Sequence, residues 1–301
     1  MIYTVTFNPS LDYVMRVKGF EANGVNRTYE DFIVAGGKGV NVSIMLRHLG
    51  HENTALGFIA GFTGDEIVRQ LREEGCHESF VRLEKGYSRI NVKLKSNGET
   101  EINAQGPVIT DTAMSQLYKQ LDALKNSDTL VLSGSIPKGL PETTYRDIME
   151  RLKGRDIRII VDATQDLLMN VLDLKPFLIK PNHHELESVF NTKFTTESDI
   201  IDAARQLQAK GAQNVLVSRA GDGAVLVDAN GDVRTSAVPK GKLVNSVGSG
   251  DSMVAGFLAG YIESDGQYDK ALAMGVAAGS ASAFVEWLAN REQVEALLEK
   301  E

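Results

Sequence analysis

Asn245-Ser246-Val247-Gly248-Ser249-Gly250-Asp251-Ser252 runs straight into an apolar stretch with helical spacing. Two glycines let the backbone pass close to a ligand. The N–H groups of a helix's first turn point at whatever sits there, and the macrodipole favours an anion. Asp251 falls in that turn. A carboxylate so placed can take a proton from an attacking hydroxyl while the amides of Gly248, Ser249 and Gly250 hold a transferring phosphoryl group. The plainer reading is a glycine turn with Asp251 helping to cap the helix. Other phosphate signatures do not fit. The P-loop needs Gly-Lys-Ser/Thr, whereas Lys38 is followed by Gly39, and a nucleophile elbow is excluded by Val at 247.

Three further clusters could bind polar ligands. Ala35-Gly36-Gly37-Lys38-Gly39-Val40-Asn41 sits where a strand hands over to a helix, with Lys38 supplying charge and Asn41 an amide that both donates and accepts. Lys180-Pro181-Asn182-His183-His184-Glu185 follows a strand and opens a helix. Asn182 and Glu185 lie three apart and share a face, as suits Mg²⁺ held mostly through water and nucleotide phosphates. The same pair reads equally as a capping box. His183 and His184 do not make a zinc site, because adjacent side chains diverge on a helix and no cysteine pair assists. Ser218-Arg219-Ala220-Gly221-Asp222-Gly223 joins two strand-like stretches, as a hairpin turn or as a loop against a nucleotide.

These clusters need a scaffold. IYTVTF reads as a buried strand, and Asp12–Val34 as exposed antiparallel strands. A helix starts near Gly39, with Val42, Met45, Leu46 and Leu49 on one face and Gly50 as its stop. TALGFIA predicts a strand and Asp65–Glu74 a helix. SRINVKLK and ETEINAQ form a second exposed pair around Ser96-Asn97-Gly98. Met114, Leu117, Leu121 and Leu124 mark another helix. Helices then alternate with TLVLSG, RIIVDA, PFLIKPN and NVLVSRAG, and the chain is mostly helical from Gly250 onward. Such alternation implies a mainly parallel sheet covered by helices. The two hairpin pieces, with few large apolar residues on one face, read as a small projecting sheet that would serve as a lid excluding water.

The formal charge of −8 speaks against a nucleic-acid partner, which requires a basic face. No apolar run approaches the length of a membrane span, and MIYTVTFNPS lacks the features of a signal peptide. A single cysteine, Cys76, suits a reducing compartment, so the expected location is cytoplasmic.

In this order, the four clusters resemble the PfkB family of carbohydrate kinases, within the ribokinase-like superfamily. AGGKGVN is similar to the family's first signature and the GSGD segment to its second. The resemblance covers the whole chain, from Asn8-Pro9-Ser10-Leu11-Asp12 to the C-terminal helices. SRINVKLK, ETEINAQGP, SGSIPKGLP, FLIKPNHHELE and PKGKLVNSVGSGDS look most like the fructose-1-phosphate kinases of that family. Arg219 departs mildly, standing where relatives more often carry an apolar residue.

The resemblance implies a single α/β domain over 1–301, a ribokinase-like three-layer α/β/α sandwich. Its mainly parallel central sheet would carry a lid from about 10–34 and 88–106. It also implies ATP-dependent phosphorylation of fructose 1-phosphate at its C6 hydroxyl. Asp251 would be the base and the Gly248–Gly250 amides the anion hole. Asp12 and Asn41 would bind sugar hydroxyls, Gly37 would let the ring approach, and Lys38 and Arg89 would meet the substrate's own phosphate. Arg27 and Lys138 are additional cations, Arg27 acting across a dimer. Lys180, Asn182, Ser218, Arg219, Ala220, Gly221, Asp222, Gly223 and Gly250 would meet ATP, with Asn182 and Glu185 at Mg²⁺. A homodimer through the lid is the expected assembly. Alternatives are a tagatose-6-phosphate or fructose-6-phosphate kinase, or a non-catalytic sugar-phosphate-binding regulator.

Overall fold

A computed structural model describes residues 1–163 and 165–299, so the last two residues of the expected domain lie outside it. Its main sheet has ten strands. From one edge the order is Val233–Ser236, Ala224–Val227, Asn214–Ser218, Leu178–Ile179, Arg158–Asp162, Thr129–Ser133, Ile2–Thr6, Asn53–Ala60 and His77–Glu78; Val81–Leu83 also pairs with Asn53–Ala60. All of these pairings are parallel except the two that join Asn214–Ser218, Ala224–Val227 and Val233–Ser236.

Side chains alternate across this sheet, and each face has its own core. Leu130 and Leu132 enter one with Leu117, Leu121 and Tyr145; Val131 between them enters the other with Ile44, Phe257 and Leu258. A strand buried on both faces has no polar positions to spare, which explains the unbroken apolar runs. The arrangement is the expected three-layer sandwich.

Two elements differ from expectation. The helix predicted from Asp65 begins at Gly61, because the buried Thr63 hydroxyl donates to Ser88 O at 2.7 Å and Gly64 packs against Ile59. The glycines of Gly61-Phe62-Thr63-Gly64 disguise that first turn as a loop. PFLIKPN contributes only Leu178–Ile179 to the ladder, since Pro176 and Pro181 cannot donate.

A separate four-stranded sheet has the order Thr28–Gly36, Ser10–Val17, Arg89–Lys95, Glu99–Ile102. The two expected hairpins are joined through a parallel pairing of Ser10–Val17 with Arg89–Lys95. Register puts Asp12, Asn91, Lys93 and Glu101 on the inner face. Leu11, Tyr13, Ile33, Ile90, Val92 and Ile102 occupy the outer one. The inner face is therefore the polar one, in keeping with few large apolar residues on one face, and the outer face is apolar.

Candidate active site

At the C-terminal ends of the parallel strands lies a cavity of about 490 Å³ beneath the small sheet. Asp12, Asn91, Lys93 and Glu101 line it from the sheet. Gly37, Lys38 and Asn41 enter with the helix Lys38–His48, and Val247 and Asp251 with the glycine turn. A larger cleft, about 690 Å³, lies elsewhere among Lys153, Arg155, Arg158 and Gln213, and holds none of the candidate site residues. Chemistry follows the first.

Asp251 stands in the first turn of the helix Ser249–Glu263. The cap is Gly248 itself, at φ 80° in the left-handed region, with no side-chain capping bond, so Asp251 is not spent on capping. Its buried carboxylate accepts at Oδ2 from Asn41 Nδ2, 2.7 Å away. Burial, reinforced by the negative charge of Asp162, pushes its carboxyl up to about 6, against the opposing pull of Lys38, Asn41 and Lys180.

Asp162 was not singled out from the sequence. It ends the strand Arg158–Asp162, fully buried, with Lys38 Nζ at 3.2 Å and Lys180 Nζ at 3.5 Å from its Oδ1. Burial alone would raise its carboxyl, but the charges of Lys180 and Lys38 outweigh that and hold it below the usual carboxylate range. Burial likewise pulls Lys38 down, while Asp162, Asp251 and Glu185 win and hold its ammonium above the ordinary lysine value. Lys38 thus lines the cavity near Asp251 with its ammonium paired to Asp162. The legible signal was a carboxylate closing the otherwise apolar RIIVDA.

The inner face of the small sheet supplies the other side. Asp12 Oδ1 accepts from Ser10 Oγ at 2.7 Å and Asn91 Nδ2 at 2.8 Å. Arg89 donates through Nε to Asn8 O at 2.8 Å, and burial lowers its pKa against the pull of Asp12. Lys93, also missed, pairs with Glu101 at 2.7 Å within the cavity. Arg27 and Lys138 are exposed and do not line this cavity. One chain does not bring either of them to it.

The glycines of AGGKGVN make room for the chain's own atoms. A Cβ on Gly36 would lie 2.8 Å from the Asp12 carboxyl, and one on Gly39 would lie 2.4 Å from Thr6 Oγ1. Near Gly250 the closest atom to such a Cβ is Lys180 Nζ, at 3.3 Å, which brings that ammonium to the anion-hole turn.

Asn182 and Glu185 do form a capping box. Asn182 Oδ1 accepts from Glu185 N, and Glu185 Oε2 from Asn182 N, both at 2.8 Å. That commits the Asn182 oxygen to the helix and leaves the second Glu185 oxygen for a ligand. The His183 and His184 rings do not diverge; their centroids lie 3.8 Å apart. Even so, among the described residues no three His, Cys, Asp or Glu side chains gather as a metal site. Ser218 bridges to Asn182, which sets its loop beside this helix N-terminus. In that loop Ala220–Asp222 form a 3₁₀ turn, and Gly223 is needed where a Cβ would meet Ser236 O at 2.0 Å. Arg219 is tied to Glu197.

Around the cavity several buried polar atoms make no hydrogen bond within the protein: Thr6 Oγ1, Asn41 Oδ1, Ser133 Oγ, Asp162 Oδ2 and Ser249 Oγ. Buried polar atoms are nearly always satisfied, so their concentration here marks a place built for a polar ligand.

The pfkB family carbohydrate kinase model matches residues 5–290. The chain belongs to the PfkB family. A 1-phosphofructokinase of Bacillus subtilis is 47% identical over 99% of this chain and 97% of its own length. A D-tagatose-1-phosphate kinase of Bacillus licheniformis is 37% identical over 96% of this chain and 94% of its own. Among solved structures, phosphofructokinase-2 of Escherichia coli in complex with substrates and products superposes with a TM-score of 0.94. It has 28% identity, covering 99% of this chain and 98% of that one. The ribokinase-like architecture of this PfkB chain is thereby shared along its whole length.

Proposed function

We propose that this chain transfers the γ-phosphoryl group of ATP to the C6 hydroxyl of fructose 1-phosphate, releasing ADP and fructose 1,6-bisphosphate. The observation that carries the reading is Asp251. It is a buried carboxylate poised near pH 6 at a helix N-terminus, beside the Gly248–Gly250 amides and within the Asp12 cavity. A base of that strength is ionised at neutral pH and can accept the C6 proton as the oxygen attacks phosphorus. The amides of Gly248–Gly250, with Lys38 and Lys180 beside them, stabilise charge on the transferring group. The name of the 47% identical relative supports the acceptor.

Asp12, Asn91 and Asn41 hold the sugar hydroxyls, and Arg89 with Lys93 supplies positive charge toward its phosphate. ATP lies along the Ser218–Gly223 loop toward Lys180. The residues present fit Mg²⁺: the partnerless Asp162 Oδ2 and the second Glu185 oxygen are carboxylate atoms, and Asn182 contributes by fixing Glu185. Bound there, the ion would neutralise β- and γ-phosphate oxygens. The small sheet acts as the lid, and its apolar outer face packs against a second copy in a homodimer.

ADP release from MgATP tests this, with fructose 1-phosphate, fructose 6-phosphate, tagatose 1-phosphate and tagatose 6-phosphate as sole acceptors. Preference for fructose 1-phosphate is expected. A preference for another sugar overturns the acceptor but keeps the mechanism. Silence on all four, from folded protein, overturns the kinase reading in favour of a sugar-phosphate-binding regulator.

A further inference from the structure

The far end of the small sheet lands on the segment that leads into the catalytic turn. Lys95 ends the strand Arg89–Lys95, and register places it beside Arg16. Its ammonium donates to Asn245 Oδ1 at 3.2 Å. The same oxygen accepts the Val247 backbone N–H at 3.3 Å, and Asn245 Nδ2 donates to Glu286 O at 2.9 Å. Arg16 pairs with the Glu286 carboxylate. Both cations therefore meet one hydrogen-bonded pair, Asn245 and Glu286.

Asn245 is 6% exposed, so its polar atoms must be satisfied internally. An amide oxygen has two lone pairs, and here one serves Lys95 and the other Val247. The N–H held in this way immediately precedes Gly248, whose left-handed backbone opens the Asp251 helix. A rotation at 247–248 would swing the Gly248–Gly250 amides off target.

We propose that Asn245 is a positioning residue for phosphoryl transfer, orienting the Val247–Gly250 turn, and that Lys95 makes this orientation depend on the seating of the small sheet. The inference rests on the kinase reading above. Arg89 and Asn91, which face the acceptor, share a strand with Lys95, so acceptor capture and the aim of the anion hole are mechanically joined. An anion hole completed only under a seated sheet disfavours transfer to water.

A double-mutant cycle in the full-length protein decides it, reading kcat and both KM values in Lys95→Met, Asn245→Ala and the pair. Lys95→Met should lower kcat about tenfold and Asn245→Ala about a hundredfold, with KM for ATP changed by less than about threefold. Because Lys95 works through Asn245, the pair should be no slower than Asn245→Ala alone. Lys95→Arg should restore kcat to within about threefold of wild type. An unchanged kcat in Lys95→Met, or losses that multiply in the pair, overturns the inference while the kinase reading stands. Should Asn245→Ala not fold, loss in Lys95→Met with rescue by Lys95→Arg supports it, and no loss overturns it. A wild type that releases no ADP with any acceptor overturns both.

Discussion

Asn41 Nδ2 donates to Asp251 Oδ2 across 2.7 Å, joining the first turns of two helices whose residues stand 210 apart in sequence. The bond favours the ionised carboxylate and works against burial and Asp162, which favour the neutral acid. Asn41→Ala should therefore move the acid limb of kcat/KM upward from about pH 6 by about one unit. A pH–rate profile with the limb unmoved would remove Asn41 from control of the base.

Asp251→Asn separates catalysis from stability. Turnover should fall by about 10²–10⁴ or more. Stability should rise. The folded carboxyl titrates near 6 against 3.8 for the unfolded chain, so the unfolded state sheds its proton first. Stability then declines as pH rises between those values. At neutral pH the ionised Asp251 costs about 3 kcal/mol, and the amide relieves most of it. Thermal melts at pH 7.5 should show a Tm several degrees higher, and at pH 4 little difference.

Asp162→Asn should do the opposite. Its folded carboxyl is lowered, so its contribution is present above the unfolded value near 3.8 and disappears as pH falls below it. Removing it takes the ion-pair partner from the buried Lys180 ammonium and should cost about 3 kcal/mol in urea unfolding at pH 7. The acid limb of any residual activity should shift downward, since Asp162's charge no longer opposes ionisation of Asp251.

Two glycine substitutions should fail differently. Gly39→Ala places a methyl 2.4 Å from Thr6 Oγ1 and 2.9 Å from Val5 O, so helix and strand must part and Tm should drop sharply. Gly250→Ala meets only the end of the Lys180 side chain, at 3.3 Å from Nζ and 3.7 Å from Cε, which need give by no more than a few tenths of an ångström. It should leave Tm nearly unchanged while lowering kcat, which melts and steady-state assays on the same preparations will show.

If the chain forms the proposed homodimer, Ile33→Glu on the outer face of the small sheet should convert it to monomer in sedimentation velocity. Ile33 is 48% exposed in the single chain, and in the proposed sheet-to-sheet interface a charge there would be buried without a partner. A monomeric wild type would refute the assembly.

The alternation of apolar runs and amphipathic helices was enough to specify the parallel sheet, its two helical layers and the glycine turn before Asp251. Local periodicity and turn chemistry are written in neighbouring residues. The glycine motifs also marked Asn41 and Asp251 as candidates, and the resemblance to the PfkB family added Asp12 and Lys180. What the sequence could not show is which of them meet. Asp162 looked like the end of a buried strand until the fold set Lys38 and Lys180 beside it, from 124 positions before and 18 after. The apolar outer face of the small sheet and the contact of Lys95 with Asn245 depend on the parallel joining of two hairpins far apart in the chain, whereas the Lys93–Glu101 pair lies across a single hairpin. Charge pairing and pKa values depend on distance through space and on burial, and long-range packing alone supplies both.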